Sequence, residues 1–170
     1  MTTTVDLAGH HDVIVVGGGI VGASIAYHVA KAGRETLLLE RHQLTAGTTW
    51  HAAGLVAQLR STENTTKLAR YSLELYAKLQ EETGQDPGFR QPGAISMAST
   101  ANRWEELRRT AAMARYLGIE ATEISPDEIA ERFPLAMTED LHGGIWLPQD
   151  GTVGPSDATM ALARGARMHG

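Results

Sequence analysis

The sequence predicts an α/β fold, and three observations carry that prediction: an apolar strand that runs straight into a glycine triplet, a helix behind the triplet, and a second apolar strand that ends on an acid. Asp12-Val13-Ile14-Val15-Val16 is a β-branched run bounded by glycine and reads as a buried parallel strand. Gly17-Gly18-Gly19-Ile20-Val21-Gly22 follows at once and fits G-x-G-x-x-G, with glycines at 17, 19 and 22. Gly17 permits a tight turn, Gly19 lets a pyrophosphate approach the backbone, and Gly22 lets the new helix lie close to the strand. That helix is expected to bury Ile25 and Val29 on one face and to stop near Gly33. Thr36 to Leu39 then delivers Glu40, 18 residues beyond Gly22, where an acid can accept hydrogen bonds from both ribose hydroxyls of an adenosine.

Glycines punctuate many turns, so the triplet alone says little. Strand, triplet, helix, strand and acid in this order, within one unit of the expected size, distinguish a Rossmann-like dinucleotide site from a plain βαβ unit. Its place almost at the N-terminus is the one commonly taken when the nucleotide is a permanently held FAD.

Bulk properties exclude several classes. A chain of 170 residues can bury one good core. A net charge of −5 argues against a nucleic-acid surface. No cysteine is present, which removes disulfides, a thiol nucleophile and thiolate metal sites, and the seven histidines lack metal-ligand spacing. No apolar run approaches the roughly 18 residues that span a bilayer. Met1 to His11 is a polar leader without the basic and apolar segments of a targeting signal. A cytoplasmic location is the expectation.

The rest of the chain alternates helix and strand patterns. Gly47-Thr48-Thr49-Trp50-His51-Ala52-Ala53-Gly54-Leu55 has neither period, and its amides and hydroxyls suit phosphate oxygens. A connecting loop with a capping threonine is the plainer reading, and His51 by itself the mark of an ordinary surface or core histidine. Ser61 to Glu82 has helical spacing through Leu68, Tyr71 or Ser72, Leu75 and Leu79, with Gly84 as its stop. Tyr71 and Tyr76 read as packing residues. Asp86-Pro87-Gly88 is a turn, and Phe89 to Gln91 and Gly93 to Ala98 read as strands. Ala101 to Leu117 is a long helix with Trp104, Leu107, Ala111 and Ala114 on its buried face and Arg108-Arg109 solvated. Ile119 to Ile124 is strand-like. Ser125, Pro126 and Glu128 make a capping box before a short helix. Ile145 to Leu147 is a strand, Asp150-Gly151 a turn, and Asp157 to Met168 a final helix. A doubly wound nucleotide domain needs more parallel strands than these two, so the chain reads as the N-terminal piece of a larger protein. Residues 12–86 then form the nucleotide-binding βαβ unit and its adjoining segment, 87–150 start a substrate domain of α+β type, and 151–170 return to the first domain.

GGGIVGASIAYHVAKAG, LLLERHQLTAGTTWHAAGL, LQEETGQDPGFRQPGAISMAST and LPQDGTVGPSDATMALARGA together resemble the FAD-dependent sarcosine and dimethylglycine dehydrogenase family, within the D-amino-acid-oxidase-like flavoproteins. The resemblance runs from Asp12 to the end, and GTTWHAAGL is its most specific piece. It implies oxidation of an N-methyl group of a glycine derivative by hydride transfer to flavin, and the resulting iminium is hydrolysed to formaldehyde or passed to tetrahydrofolate in a separate C-terminal domain. It further implies that His51 bonds covalently to the flavin, that Gly17, Gly19, Ile20 and Gly22 line the pyrophosphate, and that Glu40 binds the ribose. Arg41 would border the adenine, and Gly47, Thr48, Thr49, Gly54 and Leu55 would wrap the diphosphate and flavin. An electron-transfer flavoprotein is a possible redox partner. One departure stands out: the turn of the family reads Asp-Gly-x-x-Asp-Pro, whereas Gly154 precedes Pro155 here.

Two other functions compete. A non-catalytic regulatory flavoprotein of the same ancestry is expected to lose the tethering histidine, so Trp50-His51 favours an enzyme. A noncovalent FAD oxidase of another amino or hydroxy acid would release its flavin in acid. No catalytic acid, base or metal ligand is assigned within these residues.

Overall fold

The computed structural model describes residues 9–60 and 62–170. Most of the expected polar leader and the expected first residue of the second helix, Ser61, lie outside them. The elements in chain order are β1 (Val13–Val16), α1 (Ile20–Lys31), β2 (Thr36–Leu39), β3 (Leu55–Val56), α2 (Glu63–Thr83), β4 (Ala94–Ala98), α3 (Ala101–Tyr116), β5 (Thr122–Ile124), α4 (Pro126–Arg132), β6 (Gly143–Leu147), β7 (Gly151–Thr152) and α5 (Pro155–Met168). A single 3₁₀ turn, Thr49–His51, lies between β2 and β3. The fold is mixed α/β.

The chain forms two compact units. The first holds residues 1–54, 76–89 and 153–170, the second residues 55–75 and 90–152. The first unit returns for residues 76–89, next to the boundary expected at residue 86. Residues 55–75 group with the second unit, where β3 pairs antiparallel with β7 through Leu55–Thr152 and Val56–Gly151.

In the first unit β1 and β2 pair in parallel, Val13 to Val16 opposite Thr36 to Leu39, which is the geometry a βαβ crossover imposes. Burial is one-sided, contrary to the expected fully buried strand: Val15 is buried, but Ile14 and Val16 are exposed. A parallel strand is hidden on both faces only when helices cover both, and α1 covers one.

Helix α1 ends as expected, with Ala32 as C-cap and Gly33 just beyond it at φ +78°, a conformation that costs glycine nothing. Its buried face differs from the expected one. Gly22, Ala23, Ala26, Tyr27 and Ala30 face inward and Ile25 lies outward. The partner surface on α5 is Ala158, Thr159, Ala161, Leu162 and Gly165, so small residues from both helices allow close approach and outweigh the larger apolar side chains. A Cβ on Gly165 would come within 2.7 Å of the Tyr27 ring. The buried Tyr27 donates its hydroxyl hydrogen bond to Glu82, and Lys31 Nζ reaches both Tyr27 Oη at 2.8 Å and Glu82 at 2.6 Å. Burial first, then the Glu82 carboxylate, raises the phenol pKa, while Lys31 and then Tyr27 hold Glu82 low.

Helix α2 likewise turns Leu68 and Tyr71 outward and buries Thr66, Leu73 and Leu79. Tyr76 packs on Phe89, ring centroids 6.4 Å apart.

The second unit is built on the antiparallel sheet β4-β6-β5. Helix α3 covers it with Leu107, Ala111 and Ala114, which join Ala98, Ile119, Ala121, Ile145 and Leu147 in one apolar core edged by Leu59 and Trp104. Arg108 and Arg109 are solvated and paired, with Glu123 and Glu105. The expected strand from Ile119 starts later, at Thr122, because the Ile119 N–H closes α3 on Ala114 O at 2.9 Å. Within the expected strand Phe89–Gln91, Arg90 forms an isolated antiparallel bridge with Thr152. The Ser125–Glu128 capping box is present in both directions.

Candidate nucleotide site

The glycine turn sits where the first strand hands over to the first helix. Gly17 has φ +109° and donates its N–H to Leu39 O at 2.8 Å, which prolongs the strand pairing into the turn. A Cβ on Gly17 would meet nothing within 4 Å, whereas one on Gly22 would lie 1.9 Å from Gly17 O. The two glycines thus have different causes: Gly17 leaves open space in front of the turn, and Gly22 lets helix and turn touch.

Helix α1 begins from Gly19, which supplies no side-chain cap, and its first turn carries no acid. Its positive end is therefore left for an outside anion. Thr49 Oγ1 accepts the Ile20 N–H at 3.0 Å. A shallow cleft of about 290 Å³ opens there, lined in part by Gly17, Gly19, Ile20, Val21, Thr48 and Thr49.

Glu40 stands at the end of β2, half-buried. Its Oε2 accepts the Gly18 N–H at 2.7 Å and its Oε1 the His42 N–H at 2.9 Å. These amides, Gly18 first, hold its carboxyl below the usual carboxylate range. Each oxygen keeps a further lone pair, so the same carboxylate can still accept from a ligand hydroxyl. Beyond it the chain folds back: the Thr45 N–H reaches Gly18 O at 3.0 Å with Thr45 at φ +72°, and Leu44 closes over Gly18. Gly18, Leu44 and Thr45 escaped the sequence reading. Gly18 occupies a variable position of the triplet, and nothing in a β-branched threonine signals a left-handed backbone.

The other expected site residues are placed as follows. Arg41 and Gly47 are exposed, and Thr48 precedes the 3₁₀ turn. His51 is exposed, with its ring against that of Trp50 at a centroid distance of 3.7 Å. Gly54, at φ +73°, accepts the Val153 N–H on its carbonyl at 2.8 Å and has no room for a Cβ. Leu55 begins β3 in the other compact unit.

Among the described residues no group of three or more histidine or acidic side chains is arranged to hold a metal ion, and no helix is long and apolar enough to cross a membrane. The open floor at Gly17, the positive helix end with no acid in its first turn and the acid at the end of β2 fit the pyrophosphate and ribose of a dinucleotide.

Fold and turn together define a dinucleotide-binding α/β protein. The chain belongs to the FAD dependent oxidoreductase family, whose pattern matches residues 12–170. It is 44% identical over 160 residues to the mitochondrial dimethylglycine dehydrogenase of Rattus norvegicus, covering 94% of this chain and 19% of that protein. It is 44% identical over 165 residues to the formaldehyde-forming 4-methylaminobutanoate oxidase of Paenarthrobacter nicotinovorans, covering 96% of this chain and 20% of the other. The chain thus spans about a fifth of the curated relatives it matches. Among solved structures, L-proline dehydrogenase from P. horikoshii superposes with a TM-score of 0.88 at 29% identity, over 94% of this chain and 42% of that one.

Proposed function

We propose that this chain is the nucleotide-binding part of an enzyme that oxidises the N-methyl group of an amino acid, sarcosine or dimethylglycine in the first instance, with FAD bound covalently through His51. The observation that carries the reading is the folded glycine turn with Glu40 bonded to it, a cradle for an adenine dinucleotide. The substrate class is supported by two relatives of equal identity, one named for dimethylglycine and one for 4-methylaminobutanoate. Their names share an N-methylated amino acid.

In this reading the amides around Gly17, Gly19, Ile20 and Gly22 hold the diphosphate, Glu40 accepts from the ribose, and Arg41 borders the adenine. Gly47, Thr48, Thr49, Gly54 and Leu55 line the diphosphate and flavin. Bound FAD supplies a two-electron acceptor for the hydride that leaves the N-methyl carbon. The substrate becomes an iminium, which water cleaves to formaldehyde and the demethylated amine. Tetrahydrofolate held elsewhere in the longer protein can take the one-carbon unit instead, and an electron-transfer flavoprotein can take the electrons. His51 would hold the flavin covalently through a ring nitrogen, which would keep the cofactor in place and make it a better electron acceptor.

The test uses the full-length protein. Acid precipitation should leave a yellow pellet, and a tryptic peptide containing His51 should carry the flavin mass. Dimethylglycine and sarcosine should yield formaldehyde. Acid-extractable flavin with an unmodified His51 peptide refutes the tether, and turnover of unmethylated amino acids alone refutes the substrate class.

A further inference from the structure

Helix α1 is capped from a distance. Gly19 at its N-cap has no side chain to offer, and the Ile20 N–H is received by Thr49 Oγ1, 29 residues further along the chain. Thr49 is 7% exposed, and its oxygen lies 2.9 Å from where a Cβ on Gly19 would stand, so it sits hard against the helix start. Thr49 is also the first residue of the 3₁₀ turn, which is closed by His51 N–H to Thr48 O at 3.2 Å and Ala52 N–H to Thr49 O at 3.1 Å. A single hydroxyl therefore ties the start of α1 to the turn that presents His51. Because that oxygen accepts a hydrogen bond from the Ile20 N–H, its own O–H remains available as a donor.

We propose that Thr49 is the positioning residue for flavin attachment: its bond to Ile20 holds the His51 turn at a fixed distance from the diphosphate cradle. The proposal rests on the reading that His51 is the attachment point. Bond formation between an imidazole nitrogen and a ring methyl depends on near-contact geometry, and a misplacement of about 1 Å can slow such a step on the order of a hundredfold. The exposed Trp50 and His51 rings give the turn little burial of their own, and the Thr49 hydroxyl is its direct hydrogen bond to the helix start.

The experiment compares full-length wild type, Thr49→Ser, Thr49→Val and Thr49→Ala. Each is prepared as apoprotein and mixed with saturating FAD. Flavin fluorescence quenching gives the affinity, and the growth of acid-stable flavin on the His51 peptide gives the attachment rate. Thr49→Ser should match wild type in both. Thr49→Val and Thr49→Ala should attach at least about tenfold more slowly even at saturating FAD, where any loss of affinity no longer limits the rate. Attachment at the wild-type rate in Thr49→Val overturns the inference, as does a serine variant as slow as the valine one. A slowing that disappears once FAD saturates the variants assigns Thr49 to binding alone and overturns it too, as does failure of both the valine and alanine proteins to fold. Wild type without acid-stable flavin removes the tether itself, a different result from any of these.

Discussion

Replacing Gly22 with alanine probes the close contact on which the cradle depends. The added Cβ would start 1.9 Å from Gly17 O and 3.1 Å from Gly17 C. To approach an ordinary contact of about 3.5 Å, helix and turn must part by roughly 1.5 Å. The obstacle is backbone on both sides, which no rotamer change relieves. Alanine brings up to about 1 kcal/mol of helix propensity, against about 1–3 kcal/mol or more for overpacking a tight contact. The net expectation is a loss of about 1–2 kcal/mol. FAD affinity should fall at least about tenfold, the equivalent of 1.4 kcal/mol, because the helix-start amides move away from the diphosphate. Gly33→Ala is the control. It forces alanine into a left-handed backbone, which Gly22 does not adopt, but its Cβ meets nothing within 4 Å, so it should cost about 1–2 kcal/mol of stability without touching affinity. Both are read in the full-length protein by urea midpoint and FAD titration. A Gly22→Ala protein at least as stable as wild type, with unchanged FAD affinity, refutes the reasoning.

Glu40→Ala should weaken FAD capture by the apoprotein by about one to two orders of magnitude; capture equal to wild type at limiting FAD would exclude the ribose role. Because the folded-state pKa of Glu40 lies below its unfolded value, its contribution is present above that unfolded value and is lost as pH falls through the folded one. Wild-type capture should accordingly persist to more acidic pH than the ordinary glutamate range of about 4.3 would allow. His51→Ala should fold, bind FAD and release all of it in acid, and it should oxidise substrate more slowly; retained acid-stable flavin would place the tether on another residue. Asp150 is buried and accepts the Gln58 N–H at 3.0 Å, and its carboxyl pKa is raised by burial despite that bond. A raised folded-state value means that stability falls as pH climbs from about 3.9, the unfolded value, through the folded one. Asp150→Asn keeps an acceptor and should match or exceed wild-type stability at pH 7, whereas Asp150→Ala should lose about 1–3 kcal/mol by orphaning a buried amide. Chemical denaturation at pH 4 and 7 separates the two.

The βαβ unit was legible because its determinants are local. Val13 to Val16, the glycines and Thr36 to Leu39 lie within one short stretch, and strand limits, helix stop and the position of Glu40 follow from propensity and punctuation. The inward faces of α1 and α2 were not legible. Hydrophobicity alone nominates Ile25 over Ala26, and only the close approach of α5, with Gly165 opposite Tyr27, reverses the choice. The grouping of residues 55–75 with the second unit was not legible for a similar reason: Leu55 and Val56 pair with Thr152 and Gly151, nearly 100 residues away, and strands of two residues carry no period.

The segment after Glu40 shows why a stretch without helical or strand period can still be well defined. Three bonds stitch it to the glycine turn: Glu40 to the Gly18 N–H, the Thr45 N–H to Gly18 O, and Thr49 to the Ile20 N–H. Each satisfies a backbone group that the turn or the helix start leaves without a partner in regular structure. The glycines that open the cradle to an anion thus also create the unpaired donors and acceptors that recruit residues 40–49. Cradle and segment specify one another, and a substitution in either should be felt in both. Under the proposed tether, that reciprocity is a reason for His51 to follow the acid so closely in the chain: the backbone that would bind the diphosphate is the same backbone that holds the turn carrying His51.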